Sequence, residues 1–571
     1  MNRSTDNANR LHTGLSMPSS TLAAGILGSV LCWLALPPLA WSYLAWIAPI
    51  PWLLLVQKET LVGARPYREL WIAGLVYWLL AVHWIRLPYP LNYLGWVLLA
   101  GYLGVYLPVF VVLSRQAVHR WRIPIVLAAP VVWTGLDWVR GHLFTGFLMG
   151  SLAHTQYRNP AVIQIADFAG EYGVTFLISF TAACITRGLC GWRQNRSGQG
   201  IAVILTGAAL LTGCYWYGQM RSGSGAQGGT HSVDTRVALI QGNTLADWKS
   251  DPERQQQIME EYVRLSLDAV RYSRDHEHRT VDLIVWPETA FRETLISVAE
   301  GYTPPPELLP PSRLTAAQDY LKLLVKELGA AVLVGIDRVE IIPSTGEEIE
   351  YRTFNSSVLV DKKGKITNTY DKMHLVPFGE FMPLARWFPF LYQVTPITGG
   401  AEPGQAPSAM QVEGVTYSTN ICYESAVPHL IRRQVCELVE RTGRAPDALV
   451  NLTNDAWFWG SSELDMHLAC GVFRAVETRT PLLIAANGGL SAHVDSWGKI
   501  ISVSQRQHPE FLTADLNIPR RKGKYPSPYV ASGDWFVGLC VLCCLVLAIT
   551  AVTERMTNVE IPNDESMTKH E

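Results

Sequence analysis

The 571-residue chain predicts two parts: a multi-span α-helical membrane domain, then an α/β domain with one further span behind it. Three observations predict this. Hydrophobic residues make up 49% of the chain against 17% charged ones, a balance that implies a membrane portion. Apolar runs near the ~20-residue length that crosses hydrocarbon recur through the first 220 positions. From about Asp234 to residue 520, short apolar runs alternate with helix-period segments, as they do in α/β folds. The formal net charge of −2 gives no basic field for a polyanion, so nucleic acid is excluded as a partner.

In chain order, residues 1–20 read as a cytoplasmic tail carrying Arg3 and Arg10. The membrane domain, 21–220, holds about seven spans at 21–37, 39–56, 69–86, 91–113, 123–140, 170–187 and 201–218. A cleaved signal peptide competes for Leu22–Trp41, but the apolar segments continue and favour a retained span. Arginine and lysine collect after every second span (Lys58, Arg65 and Arg68; Arg115, Arg120 and Arg122; Arg187, Arg193 and Arg196), which places those loops in the cytoplasm and the long segment after span seven outside. A linker follows at 221–233, Gly/Ser-rich from Arg221 to Gly229. Within 234–520 the pattern predicts strands at Val237–Gln241, Asp282–Trp286, Ala331–Ile336, Tyr417–Ile421, Ala448–Leu452 and Pro481–Ala486. Helices are predicted at Pro252–Arg274, Arg313–Leu328, His429–Arg441 and Leu464–Arg479. Hairpins turn at Asp361-Lys-Lys-Gly364 and Asp495-Ser-Trp-Gly498. A last helix occupies 533–553, and 554–571 is a second cytoplasmic tail.

The chemistry centres on Ser418-Thr-Asn-Ile-Cys-Tyr-Glu-Ser425, an apolar-edged strand that runs into Cys422. A free thiol is only about 3% thiolate at neutral pH, so a nucleophilic cysteine needs a base or a nearby cation. Glu288 and Lys372 are candidates for these parts. Glu288 follows Leu283-Ile-Val-Trp-Pro287, where proline ends the ladder and leaves the carboxylate at a strand exit. Of ten cysteines, seven lie in or beside apolar segments, and Cys436 and Cys470 fall on predicted helices, which leaves Cys422 at a strand end. No phosphate loop, dinucleotide fingerprint or zinc-spaced cysteine set is present, so no cofactor or metal is expected. His374 reads as structural.

Trp286-Pro-Glu288, Lys372-Met-His-Leu-Val-Pro-Phe-Gly-Glu380 and Cys422-Tyr-Glu424, in this order, resemble the nitrilase superfamily. Within it, Gln241-Gly-Asn243, Asn451-Leu-Thr-Asn-Asp-Ala-Trp457 and Ala485-Ala-Asn-Gly488 resemble the bacterial apolipoprotein N-acyltransferases. The resemblance implies an α-β-β-α sandwich and a catalytic Glu288–Lys372–Cys422 triad. It also implies supporting or substrate-binding parts for Glu380, Tyr423, Glu424 and Trp248. The implied reaction moves an acyl chain from a phospholipid, through a Cys thioester, to the amino group of the diacylglyceryl-cysteine of an apolipoprotein, at a bacterial inner membrane with the catalytic domain in the periplasm. The alternative is a membrane-anchored nitrilase-type amidase or another acyltransferase. A transporter is disfavoured by the scarcity of ionisable residues deep in the spans. The chain departs from the family wording at Asp137, at Leu148-Met149 and after Asn243, positions that bear on substrate entry rather than on the triad.

Overall fold

A computed structural model describes residues 20–559 except 195, 226–231, 247–250, 308, 344–349, 384, 386, 396–399 and 520–523. The tails 1–19 and 560–571 therefore lie outside the described residues. Helices occupy all eight predicted span positions, and among the described residues four are long and apolar enough to cross a membrane: Asn92–Arg120, Glu171–Trp192, Ser197–Arg221 and Trp535–Thr553. At ~1.5 Å per residue, Thr21–Ala35, with 15 residues, falls short of a ~30 Å core. The last helix, Trp535–Val559, returns to pack on Ile125–His142. Gly135 permits that approach, because a Cβ there would stand 2.7 Å from Cys544 Sγ and 3.0 Å from the Cys540 carbonyl oxygen.

Several predicted boundaries move. The span expected to end at 113 continues to Arg120, since Arg115 is no loop residue: its guanidinium caps the C-terminal end of helix Ile50–Gln57, donating to the carbonyls of Leu55 at 3.1 Å, Glu59 at 2.8 Å and Lys58. The expected 221–233 linker is helical as far as Gly225. Its first residue, Arg221, is anchored to the buried Asp167 at 2.9 Å, which holds the helix end in place. The last helix also runs six residues into the expected tail, to Val559.

Among the described residues the second part has thirteen strands, in chain order β1 (Ser232–Gln241), β2 (Leu283–Val285), β3 (Phe291–Val298), β4 (Ala331–Ile342), β5 (Glu350–Val360), β6 (Ile366–Asp371), β7 (Met410–Val412), β8 (Val415–Ile421), β9 (Ala448–Asn454), β10 (Leu482–Asn487), β11 (Ala492–Val494), β12 (Ile500–Val503) and β13 (Glu510–Pro519). One sheet runs β13-β1-β2-β4-β5-β6 with β3 beside β4, and the other runs β12-β11-β10-β9-β8-β7. Their inner faces meet in a core that includes Val237, Leu239, Leu333, Ile421, Val450 and Leu483. Helices Pro252–Glu277 and Pro311–Leu328 cover the outer face of the first sheet through Ile258, Leu265, Leu321 and Leu324. Helices Pro428–Thr442 and Glu463–Thr478 cover the second. This is the α-β-β-α sandwich.

Both predicted hairpins form where an aspartate caps its own turn. Asp361 Oδ1 accepts from the backbone N–H of Lys363 and Lys365, both at 2.9 Å, and Asp495 Oδ1 does the same for Trp497 and Lys499 at 2.8 and 2.9 Å. Strands β3, β7 and β13 were not legible in the pattern. β3 carries Arg292-Glu-Thr294 in its middle, and β13 takes its register from β1, with Ala514 opposite Val237.

All sixteen residues of Glu463–Thr478 are buried, because the membrane helices pack on the side of that helix facing away from the sheet. One apolar core thus runs from Trp52 and Trp78 in the first part to Leu464, Met466 and Phe473 in the second. Buried ion pairs pin the same seam: Arg474 to Glu171 at 2.5 Å and Arg479 to Asp167 at 2.6 Å.

Candidate active site

Strand β8 is buried along its whole length and breaks at Cys422, whose φ of +52° is left-handed. That conformation costs a non-glycine residue about 1 kcal/mol and persists only where its surroundings hold it. The Cys422 carbonyl oxygen accepts from Asn451 Nδ2 at 3.0 Å and faces His467 Nε2 at 3.1 Å. Glu424, fully buried, accepts from the Ile421 N–H at 2.7 Å, Met373 N–H at 2.7 Å, His374 N–H at 2.9 Å and the Tyr370 hydroxyl at 2.8 Å. It therefore ties the turn at Cys422 to the end of β6, where Lys372 begins. Burial raises the Glu424 carboxyl to about 6 in spite of those donors.

Glu288 leaves the sheet after β2, and Gly335 on β4 makes room for it: a Cβ there would lie 2.3 Å from the Pro287 carbonyl oxygen and 2.6 Å from Glu288 Cα. Glu288 Oε1 accepts from Asn355 Nδ2 at 2.7 Å and from Lys372 Nζ at 3.2 Å, while Oε2 accepts from the Asn454 N–H at 2.9 Å. The Lys372 side chain, 1% exposed, lies between Glu288 and Glu380, 2.9 Å from Glu380 Oε2. Glu380 also accepts from Asn355 Nδ2 at 2.8 Å and from the Val376 N–H at 2.8 Å. Burial alone would lower the Lys372 ammonium; the two carboxylates outweigh it and hold the ammonium well above the usual lysine range. Burial, then Glu288, push the half-buried Cys422 thiol well up, and Lys372 opposes them. At rest the site holds a neutral thiol beside a fixed lysinium–carboxylate pair.

The structure thus brings Glu288, Lys372, Cys422, Glu380 and Glu424 together. Tyr423 points the other way, toward the membrane helices, and its hydroxyl donates to the Gly146 carbonyl at 3.1 Å. Trp248 lies outside the described residues. Cys436 donates to the Val530 carbonyl at 3.1 Å, and Cys470 is buried in the seam. Trp387, Phe388, Phe390 and Trp459 are exposed apolar residues, and Trp459 lines a cavity of about 380 Å³ with Thr244 and Gln507.

Sequence reasoning missed Asn355, Asn454, Asp455 and His467. The run Asn451–Trp457 signals three positions here: Asn451 reaches the Cys422 carbonyl, Asn454 reaches Glu288, and Asp455 reaches His467 at 3.2 Å. No local pattern marks Asn355 or His467, because both act on residues far away in the chain. Asp455, Glu463 and His467 bring a ring nitrogen and two carboxylates within 4.8 Å of one another, but both ring nitrogens are engaged in hydrogen bonds, so the cluster is a hydrogen-bonded one.

A sandwich with this constellation at its strand ends, docked on apolar helices, defines a membrane-anchored protein of the carbon-nitrogen hydrolase class. The carbon-nitrogen hydrolase family model matches residues 236–522, and that of the apolipoprotein N-acyltransferase N-terminal domain matches 28–184. The apolipoprotein N-acyltransferase of Rhodopirellula baltica is 31% identical over 90% of this chain and 94% of its own, and that of Geobacter metallireducens is 32% identical over 95% and 97%. The crystal structure of an amidase from Nesterenkonia sp. matches at a TM-score of 0.34 and 18% identity, over 50% of this chain and 91% of that one. The chain belongs to the apolipoprotein N-acyltransferase family, and with it to the membrane acyltransferases.

Proposed function

We propose that the protein N-acylates lipoproteins, with Glu288, Lys372 and Cys422 as its catalytic residues. The observation that carries this reading is the buried Lys372 ammonium, held between Glu288 and Glu380 next to a cysteine in a left-handed turn. Glu288 takes the thiol proton as Cys422 attacks the ester carbonyl of a phospholipid, and Lys372 stabilises the oxyanion. The C–O bond breaks, Glu288 returns its proton to the departing lysophospholipid alcohol, and a thioester remains on Cys422. The α-amino group of a diacylglyceryl-cysteine then attacks the thioester, with Glu288 again taking a proton, which passes to the departing thiolate as the amide forms. The apolar helices give a physical reason for membrane attachment. Moving an acyl chain of some fifteen methylenes into water costs about 0.8 kcal/mol per CH₂, on the order of 12 kcal/mol, so the donor has to be met with its tails still in hydrocarbon. The alternation of arginines between the spans supports a bacterial inner-membrane protein whose sandwich, 234–520, faces the periplasm.

Incubation with phospholipid alone tests this reading. One acyl mass should add to the protein and be released by neutral hydroxylamine, and a diacylated lipopeptide should then accept it. Cys422→Ala should abolish both adduct and transfer, while Cys436→Ala and Cys470→Ala keep them. An adduct that survives in Cys422→Ala would remove the nucleophile, and ammonia release from an amide would point to the amidase alternative.

A further inference from the structure

Beneath the turn at Cys422 lies a buried cluster that the steps above leave unused. Helix Glu463–Thr478 presents His467, 4% exposed, and the turn after β9 presents Asp455, 2% exposed. His467 Nδ1 lies 3.2 Å from Asp455 Oδ1 and 3.9 Å from Glu463 Oε1. Nε2, on the other side of the ring, lies 3.1 Å from the Cys422 carbonyl oxygen and 2.8 Å from Ser425 Oγ. The Cys422 carbonyl oxygen and the Asp455 carboxylate can only accept, so keeping both of those contacts takes a proton on each ring nitrogen, while the Ser425 hydroxyl donates to the same carbonyl at 3.4 Å. The ring is then a cation with Asp455 as its counter-ion, and Thr453 Oγ1 holds Asp455 in place at 2.6 Å.

We propose that His467 is a positioning residue of the acyl-transfer site: as an imidazolium paired with Asp455, it fixes the left-handed Cys422 through that residue's carbonyl and cancels the negative charge Asp455 would otherwise present to the thiol. This rests on Cys422 being the nucleophile. The charged groups facing the thiol are Glu288, Lys372 and Asp455, and the Thr453 hydroxyl also reaches it. Those facing the ring are Asp455 and Glu463, with the Cys470 thiol. The Glu463 carboxyl, pushed well up by burial and then by Asp455, also faces the ring. Burial by itself would lower the His467 ring, but the acidic neighbours outweigh it and raise the ring to about 10. The cation therefore persists through neutral pH. Removing it leaves Asp455 uncompensated beside a thiol that burial and Glu288 already hold protonated.

The test uses the full-length protein in detergent and follows iodoacetamide labelling of the Cys422 peptide by mass spectrometry at pH 8. In His467→Gln, whose amide can still reach the Cys422 carbonyl, labelling should slow by about tenfold for each pH unit by which the thiol rises. In the same variant kcat should fall while KM for lipopeptide stays unchanged. Removing the uncompensated charge as well, in Asp455→Asn/His467→Gln, should restore labelling to within about threefold of wild type. Wild-type labelling in the single variant, or equal losses in the single and double variants, would overturn the proposal. Histidine-selective ¹⁵N spectra of the wild type give a readout that needs no variant: His467 should stay cationic from pH 6 to 8, and a neutral ring at pH 7 would refute the assignment. A stoichiometric divalent metal in the purified protein would overturn it too. Failure of the nucleophile reading is seen separately, as an acyl adduct persisting in Cys422→Ala.

Discussion

Lys372 does two jobs at one position. Its ammonium pairs with both Glu288 and Glu380, which share the Asn355 side chain, and in the proposed chemistry it also meets the oxyanion. Lys372→Met removes the charge and keeps the length. The two carboxylates keep their Asn355 and backbone donors, so the protein should still fold, with a stability loss of about 3 kcal/mol. Turnover should fall by roughly 10² to 10³, the usual worth of one oxyanion donor, or by more in a water-poor site. Acyl transfer to a lipopeptide, compared with thermal unfolding of the same sample, separates the two effects. Near-normal turnover in a stable variant would take Lys372 out of the mechanism.

At the scale of elements, Glu424 joins β8 to the segment after β6. Three backbone N–H groups and the Tyr370 hydroxyl converge on one buried carboxyl, so the turn that holds Cys422 and the turn that starts at Lys372 share an anchor. Glu424→Ala would leave four buried donors without an acceptor. The cost is about 3 kcal/mol or more even if only two stay unpaired. A drop in the unfolding temperature with loss of activity is expected, while Glu424→Gln, which keeps one acceptor oxygen, should lie between. If Glu424→Ala melts like wild type, the bracket is not what holds the two turns together.

Across the whole molecule, the sandwich and the membrane helices behave as one packed body. Arg474, 1% exposed, lies between Glu171 at 2.5 Å and Glu477 at 2.8 Å, and Glu477 accepts in turn from the Glu171 N–H at 2.8 Å. Removing one partner of a buried pair strands the others, so Arg474→Met should cost about 3–5 kcal/mol, read as a lowered unfolding temperature in detergent. An unchanged temperature would mean that apolar contact alone holds the seam. Orientation is a separate property of the whole chain. A reporter active only in the periplasm should work when fused after residue 230 or near 515 and fail after Arg196 or Arg555; activity at Arg196 would invert the topology.

The sequence by itself determined the parts list. Apolar run length marked all eight helix positions, the switch in period marked where the sandwich begins, and self-capped turns at Asp361 and Asp495 marked the hairpins, because each signal is local and survives in one dimension. The motifs carrying Glu288, Lys372 and Cys422 were legible for the same reason. What only the tertiary structure decided was which groups meet. Lys372 reaches Glu288 across 84 positions, Asn454 reaches it across 166, and Arg474 reaches Glu171 across 303. Periodicity carries no information about such pairs, since sheet register and the packing of helix Glu463–Thr478 against the membrane part select them. Burial also sets their energies: the same lysine, glutamate or histidine on a solvated surface would titrate near its ordinary value, and only desolvation beside a fixed partner turns it into part of a site.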